Sequence, residues 1–130
     1  MKKFLFYLIF LVIPVLNRAG SEMPYHPGDA KSDIYSELNL SAYGLTSEVF
    51  QLALTGHRKL VAAGQLENSG ILTIVDFSQS SKNKRMYVID FREHKLLFNT
   101  LVAHGRNTGE EYAKKFSNEL GTLKSSLGFF

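Results

Sequence analysis

Three segments in the second half of the chain place apolar residues with a period of two: ILTIVDF (71–77), RMYVIDF (85–91) and KLLFNTLVA (95–103). They are rich in β-branched and aromatic side chains, which suit a pleated, half-buried surface. The connections are short. SQSSKNK (78–84) is a polar loop, and Arg92, Glu93 and His94 form a tight turn. Strands joined this closely pair antiparallel, because a parallel crossover needs roughly a dozen residues or more. A β-meander is therefore expected from residue 71 onward.

The residues before it follow a helical period. Ser32 to Leu40 is expected to form a short helix with Ile34, Leu38 and Tyr35 on one side, capped by Ser32 or Asp33. A longer helix starts after Gly44. Thr46 or Ser47 can cap it, Glu48 complements the dipole in the first turn, and Arg58 and Lys59 fall near its end, with Gly64 placed to stop it. Val49, Leu52, Ala53, Gly56 and Leu60 recur at helical spacing and are its expected buried stripe. Gly56 in that stripe predicts a close approach by another element. The fold class is α+β, a helical region (32–66) followed by an antiparallel meander (70–130).

The 130 residues suit one small domain. The first 20 stand apart from it. Lys2 and Lys3 precede an apolar run from Phe4 to Leu16, broken only by Pro14, and the small residues Ala19 and Gly20 follow, the layout of a secretory leader. That run is shorter than the about 20 residues a spanning helix needs. Asn17 and Arg18 spoil the small-residue cleavage pattern, which keeps an uncleaved anchor as the alternative. Export to the periplasm or cell envelope is expected, with membrane contact only through this segment. Residues 21–31, SEMPYHPGDAK, form a linker.

Lys2, Lys3 and Arg18 account for the whole formal charge of +3, so the rest of the chain is neutral. That argues against a nucleic-acid partner, which requires a basic face to neutralise phosphates. Lys82, Lys84, Arg85 and the pair Lys114 and Lys115 are expected to be solvated surface. The chain has no cysteine, so it has no disulfide, no thiolate metal site and no thiol nucleophile of its own.

Among the histidines, His26, His57, His94 and His104, no two sit at the i, i+2 or i, i+4 spacing of a ligand pair, and no metal or cofactor is expected. His57 is expected to be an exposed or half-buried helix residue and His94 a turn residue. The pair Ser125 and Ser126 lacks the strand, turn and helix of a nucleophile elbow. Residues 105–109, GRNTG, lack the ending of a phosphate loop. Glu110 and Glu111 are adjacent and face apart, so they make a poor acid and base couple.

The tail resembles a known family. VAHG (102–105), FSN (116–118) and SSLGF (125–129), within the string from LTIVDFS at residue 72 to Phe130, resemble the opening of the L,D-transpeptidase catalytic domain, in the YkuD-like branch of murein enzymes. The helical front resembles the region those proteins carry before that domain. The resemblance implies a β-sandwich-like fold and cell-wall chemistry. A cysteine attacks the carbonyl of a diaminopimelate residue in a peptidoglycan stem peptide, the terminal D-alanine leaves, and the acyl group passes to an amine. Such a thiol needs a nearby histidine to deprotonate it and N–H donors for the tetrahedral intermediate.

In that branch the nucleophile lies in an SxGC-type segment after a second His-Gly, both downstream of the SSLGF motif. Neither occurs here, and residues 125–130 look like a strand beginning without a partner. The expectation is an inactive N-terminal portion of the catalytic domain; a non-catalytic secreted module that binds peptidoglycan stem peptides is the alternative. His104, Gly105, Ser117, Asn118, Ser125 and Ser126 are the candidate substrate-binding residues, with hydrogen-bonded scaffolding of the loop as the competing role.

Overall fold

Two aspartates fix where the sheet turns. A computed structural model of the chain describes residues 33–129; the leader, the linker with His26, the Ser32 cap position and Phe130 lie outside them. The sheet contains β1 (Ile71–Val75), β2 (Met86–Asp90) and β3 (Lys95–Thr100), antiparallel in the order β1-β2-β3. Each strand is shorter than its apolar pattern. Asp76 Oδ1 accepts from the Ser78 N–H at 3.0 Å, and Asp90 Oδ1 accepts from the N–H groups of Arg92 and Glu93 at 2.8 and 2.9 Å. Both aspartates thus give the backbone a turn in place of a ladder. His94 completes the second turn at φ 49°, and its Nδ1 lies 2.9 Å from the Glu37 carboxylate.

Leu72 and Ile74 lie opposite Ile89 and Tyr87, and these four form the buried face of the first two strands. The pairing of β2 with β3 shifts by one between Val88 and Ile89, leaving Leu97 as an extra residue in β3. This bulge breaks the alternation of β3. Leu96 packs toward the core opposite Ile89, while Phe98, opposite Val88, is 62% exposed.

The expected first helix is split in two. α1 covers Asp33–Glu37, and a separate 3-10 turn covers Leu40–Tyr43. Asn39 between them takes the left-handed conformation at φ 48°, which asparagine tolerates better than most residues. α2 (Ser47–Ala62) follows the sequence closely. Thr46 Oγ1 accepts from the Val49 N–H at 3.3 Å, and Gly64 at φ 66° lets the N–H groups of Gly64 and Gln65 reach the carbonyls of Val61 and Leu60. That is a Schellman ending.

The buried stripe of α2 differs from the expected one. Phe50, Leu54 and His57 are buried, Val49 and Ala53 border the core, and Leu52 is 70% exposed. The stripe is turned because His57, counted as polar in the sequence, points inward and rests edge-on to Phe91 with ring centroids 5.3 Å apart. Gly56 does admit a neighbour. The Phe129 ring lies where a Cβ at position 56 would stand. No strand forms after Thr100 among the described residues, so the strand expected at the end of the chain is replaced by an irregular segment that seats Phe129 on α2.

Ile34, Leu40, Leu45, Phe50 and Leu54 share one hydrophobic core with Leu72, Ile74, Tyr87, Ile89 and Phe91, so the helical region and the sheet are one packed unit. No helix among the described residues is long and apolar enough to cross a membrane.

Burial lowers the pKa of His57 from the usual 6.5; a backbone hydrogen bond at Ser69 acts in the opposite direction, and the charge of Arg58 lowers it further. The unfolded chain therefore takes up a proton that the folded chain resists. Stability from this site is present above the unfolded value and is lost as pH falls below about 6.5. Urea midpoints are expected to decline between about pH 8 and about pH 5, and His57→Leu is expected to flatten that decline. A midpoint that rises on acidification over this range contradicts the assignment.

Candidate functional site

Arg85 immediately precedes β2, and its side chain is fully buried. This corrects its expected place among the surface cations. Its guanidinium donates to the Gln79 carbonyl at 2.9 Å, to the Val102 carbonyl through Nε at 3.3 Å and Nη2 at 3.1 Å, and to His104 Nδ1 at 2.8 Å. The Phe77 ring lies under it, 5.1 Å from Cζ to centroid. No carboxylate among the described residues forms an ion pair with it. A buried charge is tolerated only when its hydrogen-bonding groups are satisfied. Here carbonyls, an imidazole and an aromatic face do so.

His104 takes its orientation from that contact. A guanidinium only donates and a carbonyl only accepts, so the ring presents a lone pair at Nδ1 to Arg85 and donates from Nε2 to the Gly109 carbonyl at 3.0 Å. Both nitrogens are engaged within the protein, and neither is left to take a proton from a nucleophile. The histidine holds the end of β3 to the loop. Phe77 supports the same point from below, edge-on to His104 at 6.5 Å and tilted against Phe116 at 5.9 Å.

The other candidate residues bind one another. The Gly105 N–H donates to Ser125 Oγ at 2.9 Å, and the Ser117 N–H donates to the Ser125 carbonyl at 3.1 Å. Ser126 Oγ donates to the Ser117 carbonyl at 3.3 Å. Asn118 Nδ2 donates to the Leu127 carbonyl at 3.4 Å, and its Oδ1 accepts from the Leu127 N–H at 3.3 Å. The three motif segments thus meet in one place. At Gly105 a Cβ would lie 2.5 Å from the Leu123 carbonyl oxygen, so the two backbone segments can approach only because the residue is glycine.

A second network joins this loop to the connection between β1 and β2. Glu111 accepts from Ser80 Oγ at 2.7 Å and from Lys82 Nζ at 2.6 Å. Lys82 and the Ser80 hydroxyl hold the Glu111 carboxyl below its ordinary range, and the same contact raises Lys82. Gln79 Nε2 lies within hydrogen-bonding distance of Asp76 Oδ2, Tyr87 Oη and the Gly44 carbonyl, its two hydrogens shared among three acceptors. Glu110 faces elsewhere, onto an open cleft. Among the described residues no three His, Cys, Asp or Glu side chains gather as a metal group.

Arg85, Phe77 and Thr108, on which the other side chains lean, are not among the residues that the sequence marks as substrate-binding candidates. Arg85 and Phe77 lie in strings that carry the family resemblance, VDFS and RMYVID, yet composition alone placed Arg85 with its neighbouring lysines. Arg85→Met leaves the acceptors at Gln79, Val102 and His104 unpaired and is expected to cost at least about 2 kcal/mol of stability. Arg85→Lys is expected to recover only part of this, because an ammonium lacks the planar fork. Urea denaturation measures both, and full stability in Arg85→Met would mean that the guanidinium does not anchor the loop.

The sequence model of the L,D-transpeptidase catalytic domain matches residues 41–130, taking in α2 as well as the sheet and the loop. No curated protein and no solved structure matches the chain. With its motif segments gathered at the end of the meander and that match over most of its length, the chain belongs to the L,D-transpeptidase catalytic-domain family.

Proposed function

We propose that the chain acts at the cell wall, and that the loop closed by His104, Gly105, Ser117, Asn118, Ser125 and Ser126 contacts peptidoglycan stem peptides without itself making or breaking bonds. The observation that carries this reading is the convergence of the three motif segments into one hydrogen-bonded surface. Membership of a family that acts on peptidoglycan peptides supplies the substrate class. The 130 residues contain no cysteine, so the nucleophile of the family reaction does not come from them, and His104, with both ring nitrogens occupied, is not poised as its base. Residues 1–20 export the chain, which brings it to a substrate outside the cytoplasm.

Incubated with purified stem peptides, the 130-residue chain is expected to yield no crosslinked product by mass spectrometry, and no mass increase with a carbapenem that acylates cysteine. Either product would overturn the non-catalytic part of the reading. Co-sedimentation with purified murein is expected to be saturable and to weaken when Gly105→Val opens the motif cluster. Murein that leaves the chain in the supernatant would remove the binding part.

A further inference from the structure

Thr108 draws three stretches of the loop around one cleft. Its side chain is fully buried. Its carbonyl accepts from the N–H groups of both Lys114 and Lys115 at 2.9 Å, and its hydroxyl accepts from the Ser125 N–H at 2.7 Å. Next to it, the Asn107 N–H donates to the Leu123 carbonyl at 2.9 Å. Lys124 therefore sits between two pinned residues, and the lysine pair is pinned directly. As a result Arg106, Lys114, Lys115 and Lys124 line a single open cleft of about 490 Å³, together with Thr108 and Glu110.

The charge in this cleft is unbalanced. None of its four cations forms an ion pair among the described residues, and Glu110 is the one carboxylate in its lining. Lys82, by contrast, is matched to Glu111. Outside the leader the chain is formally neutral, so this is a local concentration of positive charge and not the overflow of a basic protein. Hydrogen bonds between backbone segments hold the cations together against their repulsion, and an anion entering the cleft relieves it. A cleft lined mainly by charge of one sign also raises the local concentration of oppositely charged ligand.

We propose that this cleft binds the free carboxylates of a peptidoglycan stem peptide and so fixes where the peptide lies along the loop. The proposal rests on the wall-peptide reading above and adds the group that is recognised. Stem peptides carry several carboxylates, and charge-assisted hydrogen bonds from lysine and arginine to carboxylate are about twice as strong as neutral ones. Thr108 is a positioning residue in this account, since it touches the backbone of the cationic segments and not the ligand.

The test is an NMR titration of the isotope-labelled full chain with three probes: a soluble stem peptide with free carboxylates, the same peptide with its carboxylates amidated, and inorganic pyrophosphate. The free peptide is expected to shift the amides of residues 106–110, 114–115 and 124–125. Amidation of the peptide, or the paired change Lys115→Glu and Lys124→Glu, is expected to weaken binding at least about tenfold while the far-ultraviolet spectrum stays unchanged and the urea midpoint does not fall. Rising salt is expected to weaken binding of the free peptide and leave the amidated one little affected. Equal binding of the two peptides overturns the carboxylate assignment and leaves the wall-peptide reading standing. Binding of neither overturns both. Pyrophosphate bound in the cleft with no response to the free peptide assigns the cleft to phosphate and overturns the proposal.

Discussion

A guanidinium with no carboxylate partner among the described residues holds the two halves of the site together. Arg85 stands just before β2, and its fork reaches the carbonyl of Gln79 on one side and the carbonyl of Val102 and Nδ1 of His104 on the other. Removing such a cation from water costs several kcal/mol. Hydrogen bonds from a charged donor contribute about 1.5–3 kcal/mol each, and a desolvated cation over an aromatic face adds about 2 kcal/mol. The side chain is favourable at this position only while all of these partners are in place. The connection after β1 and the segment after β3 are thereby coupled, and loosening either exposes a charge requirement that the other cannot meet.

Beyond that anchor the loop is built from its own polar groups. Serine, threonine and asparagine side chains capture backbone N–H and C=O groups across the chain, so the segment from 101 to 129 keeps a defined course with no helix or strand. Leu120, Leu123 and Leu127 are largely exposed, and the order comes from Thr108, Ser117 and Ser125. The motif residues therefore serve the shape of the surface first, and any ligand meets a prearranged set of donors and cations.

Much of this was legible from the residue pattern. The strands declared themselves through their period of two, and α2 through Thr46 at one end and Gly64 at the other, because those devices act over a few neighbouring residues. The close approach at Gly56 was also foreseeable, although its occupant, Phe129, was not. Reading failed where a distant partner decides. His57 turns the helix stripe because Phe91 receives it, Arg85 is buried because Val102 and His104 await it, and Asn39 divides a helix that its flanking apolar residues would have continued. Thr108 looks like any loop threonine until the segments that converge on it are known.

The bulge at Leu97 has a consequence for how such a chain can vary. By adding one residue to β3 it resets the phase of everything that follows, so Asn99 sits opposite Tyr87 and its amide reaches the carbonyls of Lys84 and Met86. Three residues later Val102 presents its carbonyl to Arg85. Between Asp90 and Thr100 the count of residues matters as much as their identity: a single codon gained or lost there would aim the imidazole away from its guanidinium and dismantle the loop without touching any residue that the loop contains.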